Sequence, residues 1–168
     1  MKEKFKKNHY LVIKNAIDAN VAEFVYNYFL MKRQVARTMF DTRFISPYTD
    51  YWGVWNDKQV PETYSHYSDT AMETLLLAVQ PKMEKQTGLK LYPTYSYARI
   101  YKKGDILHRH KDRLSCEIST TLNLGGDEWP IYLENKKNVG SSTEIDPETG
   151  KNYLTETKNK GTKIILKP

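Results

Sequence analysis

The stretch YSYARIYKKGDILHRHKDRLSCEISTTLNL, residues 95–124, decides how this chain is read. Tyr95, Tyr97, Arg99 and Tyr101 alternate along an extended backbone, where residues two apart share a side. Lys102 to Asp105 spell a turn, and Gly104 permits its tight backbone. Ile106 to Asp112 then continues as an extended segment, and Cys116 to Leu124 reads as a further strand.

His108, His110 and Asp112 share one side of that extended segment. An imidazole and a carboxylate two residues apart can grip one metal ion from one face. With a further imidazole from elsewhere, such a pair becomes the two-His-one-carboxylate triad of non-haem Fe(II) oxygenases. The three residues cannot complete a site alone on a regular strand. His108 and Asp112 would lie about 13 Å apart at roughly 3.3 Å per residue. Two side chains meeting at one ion through bonds of about 2.0–2.2 Å span only about 11–12 Å. His110 and Asp112 are therefore the expected metal pair, with His108 supporting a ligand from behind or standing at the entrance. The tripeptide His-x-Asp is common, and in isolation it reads more simply as a charged turn with exposed histidines.

Taken whole, the order is a strand with Arg and Tyr, a glycine turn, His-x-Asp, and a strand ending in Leu-Asn. That order resembles the 2-oxoglutarate- and Fe(II)-dependent dioxygenases of the prolyl 4-hydroxylase-like superfamily. The resemblance covers residues 91–133 in detail and the remainder by the order of elements. It implies a double-stranded β-helix (jelly roll) with N-terminal helices packed outside, an α+β and mainly β fold. It also implies Fe(II) as cofactor, 2-oxoglutarate and O2 as cosubstrates, and hydroxylation of an unactivated C–H bond with release of succinate and CO2. Three protein ligands on one face of six-coordinate Fe(II) leave two positions for the keto acid and one for O2. The far carboxylate of the keto acid then needs a cation or hydroxyls. Tyr101 and Thr121 stand where the family places such contacts, and Arg99, of the same parity as Tyr101, joins them as a candidate. Each also has a structural reading: Tyr101 as a core aromatic, Thr121 as a β-former, Arg99 as an ion-pair partner. Asn123 is expected to be a structural hydrogen-bonding residue, Asp105 to stabilise the turn, and Arg113 and Glu117 to form an exposed ion pair.

The family draws its distal His and a basic residue, Arg or Lys, from its last strands. Residues 161–168, GTKIILKP, look like the strand before a Gly-Asp turn and the distal-His strand, and no histidine follows His110. The expectation is a single oxygenase-like domain over residues 1–168, truncated at its C-terminus, lacking the closing strands and with little or no turnover. A degenerate homologue is a second reading, and recruitment of His66 or His9 as third ligand a third. A chain supplying the missing strands is an expected partner, and the substrate class is peptidyl or a small molecule. The alternative function is a non-catalytic jelly-roll module for a protein or carbohydrate partner, with His110 and Asp112 incidental.

A length of 168 residues is that of one domain. The 39% hydrophobic content includes 13 Tyr. Excluding Tyr and adding Gly leaves roughly 36%, against about 45–50% in average proteins. Such a core leans on tyrosine, whose hydroxyls need partners or a wet cavity. The net charge of +6 is scattered, with a cluster from Lys2 to Lys7 and a looser one from Lys151 to Lys167. Solvated lysines explain it, and nucleic-acid binding is not expected. A lone Cys116 fits a reducing cytoplasm, and neither a signal peptide nor a membrane span is expected.

Along the remaining chain, His9 to Lys14 reads as a strand. Asp18 caps a helix from Ala19 to Arg33 with Val21, Phe24, Val25, Tyr28 and Phe29 on one face. A second helix begins near Ser68 or Asp69, carries Leu75, Leu76 and Val79, is interrupted or kinked by Pro81, and ends at Gly88. The aromatic segment between them, Tyr51 to Tyr67, covers the barrel or lines a groove. Gly125 to Asp127 turns the chain into a strand over Trp129 to Leu133. Asp146 to Gly150 reads as a hairpin turn, with strands near Tyr153 to Thr157 and Thr162 to Leu166.

Overall fold

The computed structural model describes residues 2–46, 49–107, 110, 112–113, 115–135 and 161–168. The chain divides into two compact units, one over Ile13–Leu107 and one combining Met1–Val12 with His108–Pro168. It is an α+β protein, with three helices and two two-stranded antiparallel sheets among the described residues. Among those residues no helix is long and apolar enough to cross a membrane.

In the Ile13–Leu107 unit, helix α2 spans Ala19–Asp41. Asp18 caps it by accepting from the Asn20 amide at 2.9 Å, satisfying a donor that the first turn leaves unpaired. The helix runs a further two turns beyond Arg33, and its buried positions are Val25, Phe29 and Ala36. Val21 and Phe24, expected inward, are exposed, Phe24 at 74%. Phe24 is one residue, about 100°, away from Val25 around the axis, so the two cannot share a narrow buried stripe.

Helix α3 spans Thr70–Thr87, and Met72, Leu75 and Val79 form its buried stripe. The Asp69 carboxylate accepts from the Ala71 and Met72 amides, and Gly88 closes the helix in the left-handed region at φ 77°. Pro81 lies inside the helix and does not interrupt it. Its ring removes one backbone donor near the exposed Leu77, where water can serve the carbonyl left over. Phe29 packs against Tyr64 with ring centroids 5.2 Å apart, and Val60 is buried as well; among the described residues, every buried hydrophobic side chain lies in this unit.

Strand β1, Ser65–Tyr67, pairs antiparallel with β2, Tyr97–Arg99, in the register Ser65 to Arg99 and Tyr67 to Tyr97. Val54 bridges Ser65 on the other side of β1. The expected strand from Leu91 to Tyr101 thus shrinks to three residues, because only the part facing β1 finds a ladder partner. The Lys102–Asp105 turn forms as expected. The Asp105 amide donates to the Lys102 carbonyl at 3.0 Å, and its carboxylate accepts from the Lys102 amide and the Thr63 hydroxyl.

In the other unit, Lys2–Asn8 forms helix α1. His9 to Lys14 is irregular and not the expected strand, with His9 at φ 61°. Strands β3, Trp129–Leu133, and β4, Thr162–Leu166, pair antiparallel with Trp129 opposite Leu166. Both match their expected bounds. Cys116 to Leu124 is a correction: these residues form turns and irregular backbone, not a strand. Asn123 explains part of that, since its amide donates to the carbonyls of Asp127 at 2.9 Å and Leu166 at 3.2 Å. A side chain bonding backbone in this way competes with a ladder. The expected turn at Asp146 to Gly150 and strand at Tyr153 to Thr157 lie outside the described residues.

Candidate functional sites

His110 and Asp112 do converge. The imidazole Nε2 lies 3.5 Å from Asp112 Oδ1, with the side chains 27% and 47% exposed. The second carboxylate oxygen accepts from the Ser119 hydroxyl at 2.5 Å. The imidazole beside Asp112 and the Ser119 hydroxyl hold its carboxyl below the ordinary carboxylate range, against partial burial. Two donors bonded to one ion at a right angle, each at about 2.1 Å, stand about 3 Å apart. The observed pair fits two neighbouring corners of such a shell. Among the described residues, no third His, Cys, Asp or Glu joins them to complete a metal-holding group. His108 lies outside the described residues.

Ser119 and Thr121 lie on irregular backbone, and Thr121 is exposed. Arg99 and Tyr101, from the other unit, have a well-defined setting. The Arg99 side chain is 7% exposed, and its guanidinium pairs with Asp57 at 2.5 Å. It also donates to the Tyr101 hydroxyl at 2.8 Å and to Gln59 at 3.0 Å. The Tyr97 and Tyr101 rings both lie against it, with centroids 4.9 and 5.4 Å from its central carbon. Tyr97 donates to Asp57 at 2.9 Å. Asp57 resists the upward push of burial because the Gln59 amide, Arg99 and Tyr97 hold its charge, and its carboxyl ends below the usual range.

A second cluster gathers around Asp69, and of its members the sequence marks only His66 as a candidate ligand. Asp69, with no side-chain exposure, receives the Lys32 ammonium at 2.5 Å, the Tyr28 hydroxyl at 2.7 Å and His66 Nδ1 at 3.2 Å. Burial alone would raise its pKa, but Lys32, Tyr28 and the Met72 amide pull it down to about 2. Burial and then the nearby Lys32 charge push His66 down, so its ring is neutral at pH 7. The signal was present in sequence as His66-x-x-Asp69 at a helix start, where a capping carboxylate meets a preceding imidazole.

This cluster opens on a cleft of about 930 Å³ lined by residues of α2, β1 and the loop before it. Tyr51, Trp52 and Tyr67 contribute its aromatic wall. Tyr64 and Trp55 instead go inward, their rings 4.9 Å apart. The aromatic segment thus lines a cleft with Tyr51, Trp52 and Tyr67 and sends Tyr64 into the core. Gly53 makes the bend between them: at φ +91° it lies against Tyr64, and a Cβ there would meet the ring at 2.6 Å.

Compared with protein families, curated proteins and solved structures, the chain matches none.

Proposed function

We propose that this chain is a 2-oxoglutarate- and Fe(II)-dependent dioxygenase of the prolyl 4-hydroxylase-like type, built on a jelly-roll plan, in which His110 and Asp112 hold the metal. The observation that supports it is the approach of His110 Nε2 to Asp112 Oδ1 at 3.5 Å. That spacing suits two adjacent ligand positions, and Ser119 fixes the carboxylate from behind. When bound, Fe(II) would supply oxygen activation driven by the keto acid.

The chain's own residues then have distinct tasks. Asp112 stays ionised and ready to bind because its neighbours stabilise the charge. Thr121, in the same unit as the metal pair, offers a hydroxyl to the far carboxylate of 2-oxoglutarate. Arg99 has its guanidinium engaged by Asp57, Gln59 and Tyr101, and it holds the Tyr101 phenol in place within the Ile13–Leu107 unit. With two protein donors among the described residues, affinity for Fe(II) is weak and turnover low. The substrate class is a peptidyl residue or a small molecule.

Anaerobic titration with Fe(II) and 2-oxoglutarate tests this reading. A metal-to-ligand charge-transfer band should develop in the parent and vanish in His110→Ala and Asp112→Ala. A band of equal strength in both variants, or none in the parent at saturating Fe(II), rules the assignment out.

A further inference from the structure

We propose that the cleft beside β1 is a binding site for a neutral carbohydrate, which stacks on Tyr51 and Trp52 and donates a hydroxyl to His66 Nε2. This site lies wholly within the Ile13–Leu107 unit and stands independently of the metal pair.

The imidazole is oriented from behind. His66 Nδ1 is engaged by Asp69 at 3.2 Å, which fixes the proton on Nδ1 and leaves Nε2 as an acceptor. His66 lines the cleft, and no fully buried side-chain nitrogen or oxygen among the described residues lacks a partner. Nε2 is therefore not both fully buried and unpartnered, and it sits on a residue that lines the cleft.

Charge narrows the ligand. Lys32 and Asp69 neutralise each other at 2.5 Å, leaving Asp50 as the remaining charge on the wall. An anionic ligand would meet that carboxylate with no cation to offset it. Strand addition by a peptide is closed off at Ser65, which is paired with Arg99 of β2 on one side and bridged by Val54 on the other.

What remains matches a sugar ring, which has an apolar C–H face and a rim of hydroxyls. Tyr51, 74% exposed, and Trp52 meet edge to face with centroids 5.6 Å apart, offering surfaces for that apolar face. Thr49, Asn56, Ser68 and Thr70 add hydroxyl and amide groups around the wall. The volume of about 930 Å³ accommodates several sugar units.

The purified chain is titrated with neutral tri- to hexasaccharides of glucose, mannose and N-acetylglucosamine, with an acidic oligosaccharide and an uncharged peptide as comparison arms. Tryptophan fluorescence and the His66 ring signals report binding. At least one neutral oligosaccharide should saturate at millimolar concentration, and the acidic one should bind more weakly. Tyr51→Ala, at an exposed position, should weaken that binding about tenfold or more without lowering the melting temperature. His66→Gln should weaken it as well. Saturation by the peptide alone, no response to any neutral sugar, or unchanged affinity in Tyr51→Ala overturns the proposal.

Discussion

His66 Nδ1 lies 3.2 Å from Asp69 Oδ2, and the same carboxylate caps helix α3. One buried side chain therefore serves a helix terminus, an ammonium, a phenol and an imidazole together. Replacing it strands the others, above all Lys32, whose side chain is 12% exposed. Asp69→Asn keeps a capping oxygen but removes the charge, and should destabilise the fold by about 3–5 kcal/mol. Asp18→Asn, at an exposed cap of α2, should cost under about 1 kcal/mol. Urea denaturation of the two variants measures the contrast.

The pH dependence follows from the same cluster. His66 has a folded pKa below its unfolded value of 6.5, so its contribution is present above pH 6.5 and lost as pH falls through the folded value. Asp69 falls to about 2 from 3.8, so its contribution is complete above pH 3.8 and disappears as pH drops towards 2. That second loss is on the order of 2 kcal/mol. Stability should thus decline in two stages on acidification. His66→Gln should remove the stage that begins below pH 6.5 and leave the lower one, as read by melting temperature across the pH range.

Gly53→Ala combines a left-handed backbone at φ +91° with a clash at 2.6 Å on the buried Tyr64 ring. A loss of about 2–3 kcal/mol is expected. Tyr64→Phe removes the hydroxyl that donates to the Trp52 carbonyl, at about 1–2 kcal/mol. Chemical denaturation orders the two, with Gly53→Ala the more severe.

At the metal pair, Ser119→Ala frees one oxygen of Asp112. Fe(II) affinity should drop about tenfold, while the fold is unaffected because Ser119 is exposed. Equilibrium dialysis under anaerobic conditions gives the affinity. Succinate formation from 2-oxoglutarate should be slow in the parent and absent in Asp112→Ala.

The helices were legible because their ends are chemically marked. Asp18 and Asp69 accept from first-turn amides and Gly88 takes the left-handed conformation, and each of these is a local property of the residue. Strands were legible where a partner exists, as in Trp129–Leu133 against Thr162–Leu166. Alternation in Cys116 to Leu124 announces β-propensity, but propensity does not supply a neighbour to pair with. Ser65–Tyr67 carried the opposite problem, three residues with too little pattern to register. Of the candidate site, the proximity of His110 and Asp112 was readable from a spacing of two. The Lys32–Asp69 contact joins residues 37 apart and needed the fold to bring α2 against the start of α3.

At most helix starts Ser, Thr, Asn and Asp are interchangeable at modest cost. Position 69 has lost that freedom because position 32 carries a buried cation. A lineage drifting away from aspartate here would need an uncharged residue at 32 first or at once. The two codons should therefore change together or not at all, however often the solvent-facing cap at position 18 is rewritten.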